Sequence, residues 1–153
     1  MKLNLIERII GSGFFTGYAP VASGTVASIA AFLFFLIPGF ENPSLLILVI
    51  SASIIIGKNI ADKFETIYGK DPVQFTLDEF IGMWISLLFI PKKIWFLIPA
   101  FVIWRAIDIF KPFPVRKLES LKGGWGVIID DVGAGIYTFM IMQIIIHLIN
   151  RLT

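Results

Sequence analysis

Residues 127–149 read VIIDDVGAGIYTFMIMQIIIHLI. The run is apolar and of full bilayer-spanning length, yet Asp130 and Asp131 interrupt it only a turn inside its start. A carboxylate at such a depth is expensive unless it is paired, protonated or bound to a cation, and it marks function by default.

Shorter apolar blocks precede this one, separated by charged stretches. Thr25 to Ile37 stops at Pro38-Gly39, and Ser44 to Ile56 ends at Gly57, Lys58 and Asn59. Phe80 to Ile90 ends at Pro91-Lys92-Lys93, and Ile94 to Trp104 runs into Arg105. Lys58 to Glu79 is polar with both signs of charge, while Arg105 to Gly126 is basic and rich in Pro and Gly. The blocks do not alternate apolar and polar residues, so helices are expected rather than barrel strands. Phe80 to Ile90 makes about 17 Å of helix against a hydrocarbon core of about 30 Å. One span from Phe80 to Trp104 would bury Lys92 and Lys93 at roughly 3 kcal/mol each. The expected fold is all-α: a single polytopic membrane domain over residues 1–153 with about five membrane-embedded helical segments, some short. The alternative is four, if the two short ones form a re-entrant hairpin.

Composition agrees. The 153 residues are 57% hydrophobic and 16% charged, with a mean hydropathy of +0.86, too little charge to cover a soluble domain. The absence of cysteine excludes disulfides, thiolate metal sites and cysteine nucleophiles. Glu7 and Arg8 interrupt the N-terminal apolar run, so an interfacial amphipathic helix is expected there rather than a signal peptide. With the N-terminus inside, ten basic residues (Lys2, Arg8, Lys58, Lys63, Lys70, Arg105, Lys111, Arg116, Lys117, Lys122) fall on the cytoplasmic side and three (Lys92, Lys93, Arg151) outside. Ser23, Ala27 and Ala31 form a small-residue stripe for close helix packing.

Seven of the 11 acidic residues lie in or beside three stretches on one expected face: Asp62, Asp71, Asp78, Glu79, Asp108, Asp130 and Asp131. A lone exposed acid such as Asp62 is best explained by a neighbouring lysine. The adjacent pairs Asp78-Glu79 and Asp130-Asp131 repel when brought together, and an oxygen-only donor set suits a hard cation, magnesium before zinc. Arg105, Asp108 and Lys111 are spaced by three and share one helix face, a natural phosphate clamp with a metal ligand attached. Gly123-Gly124-Trp125-Gly126 leads into the last helix, where Gly124 is a candidate for backbone contact with an anion. His147 is the only histidine and lies far from the acids, which makes Ser-His-Asp chemistry improbable.

Four stretches together resemble the phosphatidylglycerophosphatase A family. They are Ala19-Pro20-Val21-Ala22-Ser23-Gly24-Thr25-Val26-Ala27-Ser28; Asp71-Pro72 with Leu77-Asp78-Glu79-Phe80-Ile81-Gly82; Trp104 to Pro114 (WRAIDIFKPFP); and Gly123 to Asp131 (GGWGVIIDD), continuing to Ala134-Gly135. Ser23 stands where the family usually has Pro, and Ala27 where it usually has Gly. The resemblance implies magnesium-dependent conversion of phosphatidylglycerophosphate to phosphatidylglycerol in the bacterial inner membrane, with the site at the cytoplasmic face. Asp78, Glu79, Asp130 and Asp131 are then the expected magnesium ligands, and Asp108 a further ligand or a base. Arg105, Lys111 and Gly124 are expected to bind substrate. Direct attack by water and a phospho-intermediate on Thr25, Asp130 or Asp131 are both open. The expected partner is a phospholipid in the bilayer, with no nucleic acid; the sequence does not give the oligomeric state. The rivals are another lipid or prenyl phosphate as substrate, a small cation transporter, and a non-catalytic assembly subunit.

Overall fold

The computed structural model describes residues 2–152. In chain order the elements are α1 (Leu5–Gly11), a 3-10 turn (Thr16–Tyr18), α2 (Ser23–Phe35), α3 (Pro43–Tyr68), α4 (Leu77–Ser86), α5 (Ile94–Phe110), α6 (Val115–Leu118) and α7 (Gly124–Leu152). No strand occurs among the described residues.

Local chemistry accounts for the helix starts. Asn4 caps α1 through Glu7 N–H at 2.7 Å, and Glu7 reaches back to Asn4 N–H at 3.0 Å, a reciprocal capping box. Glu7 also pairs with Lys63, which ties α1 to α3. Asn42 caps α3, whose first residue is Pro43, the favoured position for proline.

All five expected blocks are helical, with two corrections. First, α3 does not stop near Gly57 but runs on through the polar stretch to Tyr68. Gly57 is a contact point rather than a terminator: a Cβ there would meet Leu77 Cδ2 at 2.9 Å. The Lys58–Asp62 pair, one turn apart at 2.7 Å, supports the continuation.

The second correction concerns the number of clear spans, which is two rather than five. Among the described residues, only α3 (26 residues) and α7 (29 residues) are long and apolar enough to cross a bilayer by length and composition. They measure about 39 and 44 Å at 1.5 Å per residue. The 13-residue α2 is apolar but shorter. The physical reason is clearest in α4, where nine of the ten residues are buried. Beyond the acids of its first turn it is largely apolar, because α2, α3, α5 and α7 pack around it, most extensively α7. Lipid need not cover it, so it need not span.

Of the expected small-residue stripe of α2, Ala27 and Ala31 pack as expected, whereas Ser23 is half-buried and borders the acidic pocket. Ala27 and Ala31 are fully buried, and the Ala31 carbonyl accepts from Trp84 Nε1 of α4 at 3.0 Å. The outer faces of the bundle keep large apolar side chains exposed, among them Leu33, Leu48, Ile55, Val102 and Ile144. Soluble monomers rarely expose so much apolar surface.

Gly82 sets how closely α4, α5 and α7 approach. A Cβ there would meet Trp104 Cη2 at 2.0 Å and the Asp131 carbonyl at 2.8 Å, a buried ring and a backbone atom with little room to yield. Gly82→Ala should therefore destabilise the protein by about 1–3 kcal/mol, read as a lowered Tm in detergent. An unchanged Tm would show that these helices do not pack as described.

Candidate active site

Three helix starts and one helix end meet at the site. Asp78 and Glu79 occupy the first turn of α4. Asp108 lies in the last turn of α5, and Lys111 is its C-cap in a left-handed conformation, φ 43°. Asp130 and Asp131 sit early in α7. Ser23 and Gly24 begin α2. These groups, with Asp71, line a pocket of about 210 Å³.

Within it, one carboxylate oxygen each from Glu79, Asp108 and Asp131 lie within 4.8 Å of one another. Arg105 holds two of these acids: its Nη1 donates to Glu79 Oε2 at 2.7 Å and to Asp108 Oδ2 at 2.9 Å. Ser28 Oγ lies 2.8 Å from Glu79 Oε2, and it accepts from Trp104 Nε1 at 3.2 Å. Gly24 makes room for this cluster, because a Cβ there would sit 2.1 Å from Glu79 Oε1.

Asp130 is arranged differently. Its Oδ2 accepts from Lys111 Nζ at 2.6 Å, and its Oδ1 is buried with no hydrogen-bond partner among the described residues. Glu119 adds a more distant contact to Lys111 at 3.8 Å. Asp78 Oδ1 accepts from the Glu79 N–H at 2.9 Å.

Five buried or half-buried carboxylates, with the exposed Asp71 as a sixth, thus face two cations, Arg105 and Lys111. Burial, then the charges of Glu79 and Asp130, push the Asp78 carboxyl well above the usual range. Burial and Asp108 raise Glu79 to about 7 against the opposing pull of Arg105. Burial favours the neutral form of Lys111, but its hydrogen bond to Asp130 and the charges of Asp130, Asp131 and Glu119 outweigh this and raise it.

The expected site residues divide accordingly. Asp78, Glu79, Asp108, Lys111, Asp130 and Asp131 share one pocket. The tight oxygen cluster holds Glu79, Asp131 and Asp108; of the four expected ligands, Asp78 and Asp130 stand outside it, and Asp130 is turned to Lys111. Arg105 is committed through Nη1 to two acids, so it secures carboxylates rather than standing free as a clamp. Thr25 borders an adjoining cavity, lined also by Glu79 and Arg105, rather than the acidic pocket.

Gly124 is placed elsewhere. Its N–H donates to Asp62 Oδ1 at 2.7 Å, and a Cβ on it would meet the Lys58 carbonyl at 2.4 Å. It is a packing contact between α7 and α3, and its amide is not available to a substrate. Asp62 is held by Lys58 and Gly124, the structural role expected of it. His147 is exposed towards the far end of α7. Sequence reading misses two contributors: Ser28, and Trp104, whose place at a segment end suggests an interfacial anchor but which is fully buried beside Ser28. Both stand inside the family-like stretches, and the one-turn spacing from Gly24 to Ser28 was the available signal.

The profile of the phosphatidylglycerophosphatase A family matches residues 9–146. A protein of Bacteroides thetaiotaomicron provisionally named as a phosphatidylinositol-3-phosphatase is 38% identical over 149 residues, covering 92% of this chain and 94% of its own. The phosphatidylglycerophosphatase A of Escherichia coli is 35% identical over 150 residues, covering 96% and 87%. That of Haemophilus influenzae is 31% identical over 147 residues, covering 92% and 90%. No solved structure matches the chain.

Removing Arg105 strands two buried acids. Arg105→Ala should cost about 3 kcal/mol of stability, and adding Glu79→Gln should recover part of that loss. Thermal unfolding of the single and double variants in detergent checks both. Equal Tm values for Arg105→Ala and the wild type would mean that the guanidinium does not neutralise this cluster.

Proposed function

The chain belongs to the phosphatidylglycerophosphatase A family, and on that premise we propose that it hydrolyses the phosphomonoester of phosphatidylglycerophosphate to phosphatidylglycerol and phosphate, with magnesium as cofactor. It is a phosphoric monoester hydrolase whose substrate lies in the bilayer. We place it as a multi-pass protein of the bacterial inner membrane with its site at the cytoplasmic face.

The observation that carries this reading is the group of three carboxylate oxygens beside Lys111. The residues fit magnesium: every donor is an oxygen, the carboxylates outnumber the cations, and Asp130 Oδ1 is buried without a partner. Glu79, Asp108 and Asp131 would hold the ion, with Asp78 and Asp130 adjoining. When bound, it supplies Lewis-acid stabilisation of phosphoryl charge and a more acidic water.

The chain's own groups do the rest. Arg105 fixes Glu79 and Asp108, so those carboxylates need not reorganise during reaction. Lys111 offers the phosphate a positive charge at the pocket wall, oriented by Asp130. Thr25, in the adjoining cavity, is less well placed as a nucleophile.

A second substrate has one specific support, the name carried by the Bacteroides relative, which points to the 3-phosphate of an inositol lipid. Phosphate release by purified protein from both lipids, with magnesium and with excess chelator, decides between them. The expected result is faster release from phosphatidylglycerophosphate, abolished by EDTA. In the same assay Asp131→Asn should lower turnover at least a hundredfold, roughly 3 kcal/mol, without unfolding. Full activity in EDTA would remove magnesium from the mechanism, and near-normal activity of Asp131→Asn would remove Asp131.

The ten-to-three distribution of basic residues, counted with the N-terminus inside, supports the cytoplasmic placement. Cysteines introduced at Asp71 and at Lys117 should resist membrane-impermeant thiol reagents in intact cells and react after permeabilisation. Ready labelling of either in intact cells would put the site on the other face.

A further inference from the structure

A second cavity has the opposite chemistry. It is an apolar groove of about 290 Å³ between α1, α3 and α4. Its floor is Leu77, Phe80 and Trp84, spaced three and four residues apart so that they share one face of α4. Along α3 its wall includes Ala52 and Ser53, whose small side chains leave the trough open. Phe14 stands at its rim, stacked on Phe34 at 5.2 Å and tilted against Phe80 at 6.3 Å.

Two features identify an occupant. The groove runs along α3, a helix long and apolar enough to cross a bilayer, whose Ala52 and Ile56 are exposed beside it, so in a membrane its open side would face hydrocarbon. It also lies within one helical turn of the acidic pocket, as a separate cavity: Leu77 floors the groove, and the next two residues, Asp78 and Glu79, line the pocket. A lipid phosphomonoester carries its phosphate and its fatty chains on one glycerol backbone. It is therefore the ligand that needs a polar and an apolar cavity side by side.

We propose that the groove is an acyl-chain subsite, holding one fatty chain of the lipid whose phosphate occupies the acidic pocket. The proposal rests on the phosphatase reading above and adds that the enzyme recognises the tail as well as the headgroup. A dry apolar cavity binds apolar ligands readily, and each buried methylene adds to affinity.

The test uses the full-length protein in nanodiscs and a phosphatidylglycerophosphate analogue with a non-hydrolysable terminal phosphonate and a diazirine on one acyl chain. After photolysis, adducts should concentrate on residues 49–56 and 77–84. Excess unlabelled phosphatidylglycerophosphate should reduce them about tenfold, whereas diacylglycerol with the same chains should not. Ala52→Phe and, independently, Ser53→Leu should fill the trough and suppress labelling to a similar extent, with Tm showing that each variant is folded. Adducts spread over every outward-facing helix, or displaced equally by diacylglycerol, would show bulk lipid in the groove and overturn the proposal. So would unchanged labelling in both folded variants. Phosphate release by the wild type, measured in parallel, judges the phosphatase reading separately. Competed labelling without hydrolysis leaves the subsite and removes the reaction; hydrolysis with indiscriminate labelling does the reverse.

Discussion

The structure is organised around the cost of keeping five carboxylates in a small, mostly apolar bundle. Asp78, Asp108, Asp130 and Asp131 are each less than a tenth exposed, and Glu79 is committed to the same cluster. Arg105 and Lys111 offset part of the repulsion. Each is bonded directly to an acid, because a distant cation is screened while one within hydrogen-bond reach is not. The excess of negative charge that remains is the strongest physical reason to expect a hard cation as a partner of the site.

Helix orientation serves the same constraint. Asp78 and Glu79 stand at the N-terminal end of α4, where the unsatisfied N–H groups favour negative charge. Lys111 caps the C-terminal end of α5, where the carbonyls favour positive charge. Asp108 is the exception, an acid in the last turn of α5, where the dipole opposes it. It is also the acid that Arg105 grips from one turn back on the same helix. Close approach of the elements is what allows so few cations to serve so many acids. Gly24 admits Glu79, and Gly82 admits both Trp104 and the α7 backbone.

Much of this was legible in the sequence, and the misses have physical causes. The block boundaries located all five longer helices, since charge and proline end apolar runs in lipid and in protein alike. Asp130-Asp131 stood out because hydrocarbon tolerates no unexplained carboxylate. Hydropathy cannot tell burial in protein from burial in lipid, and so the apolar run of α4 counted as membrane-embedded although its neighbours enclose it. The continuation of α3 past Gly57 was hidden because glycine reads as a stop, and only the seating of Leu77 against it shows why it is there. The contacts of Ser28 with Glu79 and Trp104 cross 51 and 76 residues of chain, and no local pattern announces a partner so far away. Gly124 shows the converse error. A glycine at a helix start suggests an anion, and here the anion is the chain's own Asp62.

The burial of α4 gives it a part that no spanning helix could play. A lipid-facing helix must keep its exposed surface apolar, whereas an enclosed one can carry different chemistry on each side. Successive residues on a helix are about 100° apart, so Leu77 and the pair Asp78-Glu79 point different ways within one turn. On one side α4 contributes to the charged pocket; on the other, Leu77, Phe80 and Trp84 floor an apolar trough. A ligand with a charged head and an apolar tail can use both sides of this one short helix. The shortness of α4, which made it look like a defective span, is what allows it to divide headgroup chemistry from acyl packing.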